Sequence, residues 1–184
     1  MTDLILLGML LTGPQHGYGL KQQAGVVFGQ GALHNNLVYP LLRRFVANHW
    51  VTKKTVPGER GQNRQQYAIT PSGRRALMER LRDFSEQDAR SEDAFRVRVG
   101  FFELLPGKER EQILRLREGA LRSRNEVLAN LQKAIDVGVY GGEVIAFLRE
   151  QTEMELGWIA HLRELDSKKP KNQNRLKVPS RRLL

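Results

Sequence analysis

A mainly helical fold with one small β-hairpin follows from three features of the sequence. Residues 35–73, NNLVYPLLRRFVANHWVTKKTVPGERGQNRQQYAITPSG, run from an amphipathic helical stretch into two β-branched and aromatic segments flanking a polar, Gly- and Arg-containing turn, then into a Thr-Pro helix start. Beyond residue 84 every apolar pattern repeats at helical spacing. The longest apolar run, LILLGMLL at residues 4–11, falls well short of the ~20 residues a membrane span needs and reads as a buried first helix. Helix, hairpin and helix in that order, after two short helices, is the layout of a winged helix-turn-helix. The expected fold class is therefore mainly α with a small β-hairpin wing: an N-terminal winged helix-turn-helix plus a C-terminal helical dimerisation domain.

The first helix spans residues 3–11, capped by Thr2 or Asp3 and stopped by Gly13-Pro14. A second starts near His16 and runs to about Gln23 or slightly beyond. The third covers residues 35–48, with Asn35 at its N-cap and a core stripe of Leu37, Leu41, Leu42 and Phe45. Strands over residues 50–56 and 66–69 bracket PGERGQNR, whose glycines supply the turn. Alternation puts Tyr67 and Ile69 on the inner face. Thr70 caps the fourth helix and Pro71 opens it. Then come helices over residues 91–105, 108–134 and 142–165, separated by Pro106-Gly107 and by GVYGG at residues 138–142. The long helix repeats Leu114, Leu121, Leu128 and Ile135 every seventh residue. The last carries one stripe through Ile145, Leu148, Leu156 and Ile159 and another through Phe147, Met154, Trp158 and Leu165. A helix apolar on more than one side needs more than one partner, so these helices are expected to pair between two copies of the chain; packing onto the N-terminal segment is the alternative.

Charge divides the chain the same way. Residues 1–84 hold 11 Lys/Arg against 4 Asp/Glu, net +7; residues 85–167 hold 12 against 16, net −4; residues 168–184 hold 7 against none, net +7. A basic module beside a mildly acidic one suggests that the first binds a polyanion. The domains are expected as 1–84 DNA-binding, 85–167 helical and dimer-forming, and 168–184 a basic disordered tail broken by two prolines. With no cysteine there is no disulfide and no thiol chemistry. The four histidines lack metal-ligand spacing. No nucleophile set, carboxylate pair or phosphate-cradling glycine loop stands out, and Gly17 and Gly19 follow no strand. No cofactor, metal or catalytic activity is expected.

The segments LILLGMLLTGPQHGYGLKQQ, LVYPLLRRF and RQQYAITPSGRRAL resemble the corresponding parts of PadR-type transcriptional regulators, over roughly residues 4–81. The order Tyr39-Pro40, then Thr70-x-x-Gly73, carries most of the likeness. The second segment resembles more loosely the larger helical C-terminal domain of one branch of that family, with Trp158 and Leu162 near its end. Two positions depart. Asn48-His49 stand where the family has a glycine before the wing, and both tolerate positive φ better than most residues. Gln15 replaces a commonly apolar residue.

The start of a recognition helix enters the major groove. Asn36 is the candidate base reader, since an Asn amide can pair with adenine; Asn35 either caps the helix or touches DNA. The resemblance implies DNA contact through the Tyr39 hydroxyl, with a packed tyrosine as the alternative. Arg43 or Arg44 is expected at phosphate, Arg60 and Arg64 on the wing at a groove or backbone, and Lys21 at the backbone. Lys53 and Lys54 point to opposite sides of a strand, so at most one faces DNA. His16 is read as a structural hydrogen bonder, and His34 as a phosphate neighbour. Some relatives bind planar aromatic molecules; Trp158, with Phe101, Phe102 and Tyr140, is the corresponding candidate effector pocket, with core packing as the plainer reading. The implied function is a homodimeric, cytoplasmic, nucleoid-associated regulator, a repressor, reading double-stranded DNA at a pseudo-palindromic operator, with a small aromatic effector as a possible further partner. The alternatives are a nonspecific architectural DNA-binding protein and an activator without an effector.

Overall fold

The computed structural model describes residues 1–28, 35–58, 62–134 and 137–168, without the side chains of residues 21, 24–28, 35 and 36. Two compact units emerge, one of Met1–Asp83 with Arg96–Leu105, the other of Phe84–Phe95 with the helices from Pro106 onward.

In the first unit, α1 (Thr2–Met9) buries Leu4, Ile5, Leu6 and Leu7 almost completely. Its Gly8 lies against the Phe101 ring so closely that a Cβ there would collide with it. The break at Gly13, with φ of 135°, falls where Gly13-Pro14 marks it. The second helix starts one residue past His16. Gln15–His16 form a two-residue strand β1, and α2 (Gly17–Phe28) begins after it, longer than expected. The wing strands are β2 (Val51–Pro57) and β3 (Asn63–Ile69), so the hairpin belongs to a three-stranded antiparallel sheet of order β1-β3-β2. Its register pairs Gln15 and Lys53 with Tyr67. Tyr67 is buried, as alternation requires.

Recognition helix α3 (Asn35–Ala47) buries Val38, Leu42 and Phe45 to 0% exposure, while Leu37 stays 47% exposed. The core stripe is thus i, i+4, i+7 from Val38, and Leu37 does not belong to it. A window containing Leu37, Val38, Leu41 and Leu42 supports either register, and packing onto α2 and β2 decides between them.

α3 ends in a Schellman turn. His49 adopts the left-handed conformation with φ of 57°, its N–H donates to the Val46 carbonyl at 3.0 Å, and Trp50 N–H donates to the Phe45 carbonyl at 2.9 Å. Phe45 and Trp50 make the accompanying apolar contact, ring centroids 5.8 Å apart. The turn survives the loss of the usual glycine. Trp50 is covered on another side by the Arg80 guanidinium, 4.4 Å from its centroid, which also pairs with Asp3 at 2.8 Å.

The wing exit is bound to this turn. Thr70 caps α4 (Pro71–Arg82) through its hydroxyl, which accepts from Gly73 N–H at 3.0 Å. Thr70 Oγ1 lies 2.7 Å from the His49 carbonyl, and Ser72 Oγ donates to the same carbonyl at 2.6 Å. The backbone passes so close here that a Cβ on Gly73 would collide with the Trp50 carbonyl oxygen. That approach explains the glycine three residues after the threonine.

The expected single helix over residues 91–105 is instead α5 (Glu86–Arg90), α6 (Glu92–Val99) and a 3₁₀ turn at Phe102–Leu104. Ser85 and Asp88 form a reciprocal capping box that starts α5. Helices α7 (Gly107–Ala134) and α8 (Gly138–Lys168) make an antiparallel hairpin. GVYGG is no separator, because α8 already starts at Gly138. Along the hairpin Arg110 pairs with Asp166, Arg117 with Glu155, and Arg149 with Asn125. Leu114 and Leu121 of the seven-residue repeat are buried; Ile135 and the tail beyond Lys168 lie outside the described residues.

Candidate nucleic-acid interface

The first turn of α2, the middle of α3 and the inner part of the wing together enclose an open pocket of about 760 Å³. It is lined by His16, Gly17, Tyr18, Gly19, Tyr39, Arg43, Lys53, Arg64, Gln65 and Tyr67. Three cations and three tyrosines face one hollow, and none of its lining residues is acidic. Helical spacing sets Tyr39 and Arg43 one turn apart on α3. Sheet register sets Lys53 beside Tyr67. Lys54 pairs instead with Gln66 and does not line the pocket, so Lys53 is the one of the two that belongs here.

The pocket is held by local bonds. His16 Nδ1 donates to the Gln65 carbonyl at 3.2 Å, which fixes the proton on that nitrogen and ties β1 to the wing. This is the structural role expected of it. Tyr18 is 64% exposed at the start of α2, its hydroxyl accepting from Gln22 Nε2 at 3.1 Å. Tyr39 is 43% exposed. Burial pushes the Tyr67 phenol up, Tyr39 beside it adds to the rise, and Arg43 partly offsets both. At neutral pH that phenol stays protonated and able to donate. Arg43, Lys53 and Arg64 are exposed. Cations converging with hydroxyl donors suit a phosphate oxygen, which accepts charge-assisted hydrogen bonds.

Of the predicted DNA-contacting residues, the structure thus brings together Tyr39, Arg43 and Arg64. Lys21 lies on α2, and Asn35 and Asn36 open α3, but their side chains fall outside the described residues. Arg60 and His34 lie outside them too. Sequence reasoning passed over Tyr18 and Gln65 as site residues. Tyr18 had a signal, since it follows a Gly-Pro break at a helix start. Gln65 had none.

The four residues considered for an aromatic effector fall two in each unit. Phe102 is buried, Phe101 packs on Gly8, and both belong to the first unit. Trp158 and Tyr140 belong to the second. Trp158 meets Phe95 edge-on at 5.7 Å, a core contact, and Tyr140 is 88% exposed. The pocket between α2, α3 and the wing includes none of the four. Among the described residues no group of three His, Cys, Asp or Glu could hold a metal, and no helix is long and apolar enough to cross a membrane.

Residues 6–79 match the sequence profile of the transcriptional regulator PadR-like family. No curated protein matches with significance. Among solved structures, the chain is similar to a candidate transcriptional regulator from Thermoplasma acidophilum at 28% identity, covering 42% of this chain and 74% of that one, TM-score 0.40. It is also similar to Bacillus subtilis PadR in complex with operator DNA at 17% identity, covering 89% and 97%, TM-score 0.45, and to the same protein in complex with p-coumaric acid at 15% identity, covering 91% and 96%, TM-score 0.40. At TM-scores below 0.5 these are likenesses only.

Proposed function

We propose that this chain, whose residues 6–79 match the PadR-like family of transcriptional regulators, acts as a homodimeric repressor that reads a two-fold symmetric operator. The observation that carries this reading is the acid-free pocket in which Tyr39, Arg43, Lys53 and Arg64 converge between recognition helix and wing. Helix-turn-helix proteins seat the second helix in the major groove. A phosphate held in the pocket would fix the register of α3 on the duplex, leaving the first turn of α3, at Asn35 and Asn36, to face base edges. Exposed apolar side chains on the helical unit support pairing of two chains. Helices α7 and α8 expose Val127, Leu131, Val139, Tyr140, Val144, Phe147 and Met154, an unusual display for a monomer. Two winged helices held at a fixed distance would select half-sites one helical turn apart or a multiple of it, and occupancy of such a site would block transcription.

Selection of bound duplexes from a random pool, with competition against bulk DNA, tests this. A specific regulator binds its site ~10³-fold or more above random sequence. A symmetric consensus with two chains per duplex, and loss of transcripts from a promoter carrying it, is the expected result. A specificity ratio near unity would make the protein an architectural DNA binder instead, and a rise in transcripts would make it an activator.

A further inference from the structure

Tyr67 sets the depth of the pocket between α2, α3 and the wing. Only 6% of it is exposed, yet among the described residues its hydroxyl makes no hydrogen bond and is not sealed from solvent. It lines the pocket beside Tyr39 and Arg43. A phenol buried this far ordinarily finds a hydrogen-bond partner. Here the chain supplies none, so the hydroxyl is left for something that enters the hollow. Above it stand the exposed Arg43, Lys53 and Arg64, with no acid among the lining residues. Tyr18 and Tyr39 flank them, 64% and 43% exposed. A Cβ on Gly17 would press on the Tyr39 ring at 3.0 Å, and one on Gly19 would meet only Gln15 Oε1, at 3.9 Å. The two glycines thus let Tyr39 lie against the start of α2 and keep that wall clear of side chains.

We infer that this pocket also takes the terminal phosphate of a small molecule, which reaches down to the Tyr67 hydroxyl and excludes the duplex while it is bound. This rests on the reading of the pocket as the DNA interface and adds to it a second, regulatory occupant. Charge separates the two occupants. A phosphodiester of the duplex carries a single negative charge, whereas a phosphomonoester carries about −1.5 to −2 at pH 7. Three cations without a neighbouring acid match the monoester better. Shape separates them too. A duplex phosphate is tethered through two of its oxygens and sits on a convex surface, so it meets the exposed cations at the rim. A monoester has one tether and three accepting oxygens, and can pass the rim to a buried donor. Tyr67 then donates to one oxygen while Arg43 and Lys53 or Arg64 hold the others through charge-assisted bonds. The hollow of about 760 Å³ falls within the roughly 300–1,000 Å³ of small-molecule sites. It therefore has room for the group that the phosphate carries, and the exposed faces of Tyr18 and Tyr39 suit a planar one. Because Tyr39, Arg43 and Arg64 serve both occupants, binding of the small molecule releases the operator.

Isothermal titration calorimetry of the full chain without DNA, against inorganic phosphate, a nucleoside monophosphate and a sugar phosphate in turn, reads this binding directly. At least one of the three should bind once per chain and displace a labelled duplex competitively, and the tightest of them identifies the source of the phosphate. The cyclic diester of the same nucleoside should bind about tenfold more weakly or worse, having lost a charge-assisted bond. Tyr67→Phe keeps the ring in the core and removes only the hydroxyl. It should weaken the monoester about tenfold and the duplex by much less. A cyclic diester that binds as well as the monoester, or equal losses for monoester and duplex in Tyr67→Phe, overturns the inference. So does the absence of binding by all three phosphates while the duplex still binds, a result that leaves the DNA reading standing. A chain that binds the monoester but no duplex overturns the DNA reading and leaves the phosphate site.

Discussion

Replacing Glu155 with alanine tests the electrostatic centre of the second unit. Arg117 keeps only 3% of its side chain exposed and Glu155 10%. The guanidinium is forked onto the carboxylate, Nε to Oε1 at 2.8 Å and Nη2 to Oε2 at 2.7 Å, while Nη1 donates to the Ala89 carbonyl at 2.8 Å. Its carbon lies 5.7 Å from the Phe95 centroid. Glu155→Ala removes two of these three bonds and leaves a buried cation with the one carbonyl. Breaking a buried pair from one side costs about 3–5 kcal/mol, and the 3% exposure leaves little water to compensate. At ~2–4 °C per kcal/mol for a chain of this size, the melting point should fall by about 10 °C. The paired replacement Arg117→Met with Glu155→Leu removes both charges together and should recover most of the loss. Urea denaturation followed by circular dichroism, at fixed protein concentration because association adds to apparent stability, measures both. A loss below about 1 kcal/mol for Glu155→Ala, or a double variant as unstable as the sum of the singles, would refute the claim that the pair is buried and interdependent.

Other outcomes follow from particular contacts. Gly73→Ala drives a methyl group into the Trp50 carbonyl; thermal unfolding should show a loss of about 2 kcal/mol or more. His49→Gly relieves a left-handed residue worth roughly 1–2 kcal/mol, partly offset by glycine's unfolded entropy, so the melting point should rise by a few degrees with DNA affinity unchanged. Arg43→Ala and Arg64→Ala should each reduce the slope of log affinity against log salt by about 1. Burial raises Glu111, but hydrogen bonds from Arg115 and Arg163 outweigh it and hold the carboxyl below its ordinary value of 4.5; Glu118 is held down by Arg122 and then Arg163. Depressed carboxylates stabilise the fold above their unfolded value and lose that contribution as pH falls through the folded one. The urea midpoint should therefore drop below about pH 4.5, and less steeply in Arg163→Met.

The parts legible in the sequence were those whose signals are local. Thr70-Pro71 and the alternation around Tyr67 each carry their own mechanism, and the helix-hairpin-helix order emerged from such signals. Legibility stopped where tertiary packing chose between local options. Leu37 and Val38 both suit a helical stripe, and only the neighbouring elements decide which is buried. β1 is two residues long and exists because Gln15 and His16 find β3, far along the chain. The capping box of Ser85 and Asp88 was readable, but its helix spans only Glu86–Arg90, too few residues for periodicity to show. At the site, Tyr39, Arg43 and Arg64 could be read from helix face and wing, whereas Gln65 lines the pocket through strand register, which a single strand does not reveal.

The fastening of Thr70 and Ser72 to the carbonyl of His49 has a consequence for how binding preference can change. It uses main-chain oxygens and small hydroxyls, and draws on none of Tyr39, Arg43 or Arg64. The reading head and its frame are thus separately encoded. Side chains on α3 and the wing can be exchanged, altering the sequence recognised, while helix and wing keep their mutual angle. A new operator preference then requires only surface substitutions, and drift in preference need not pass through unstable intermediates.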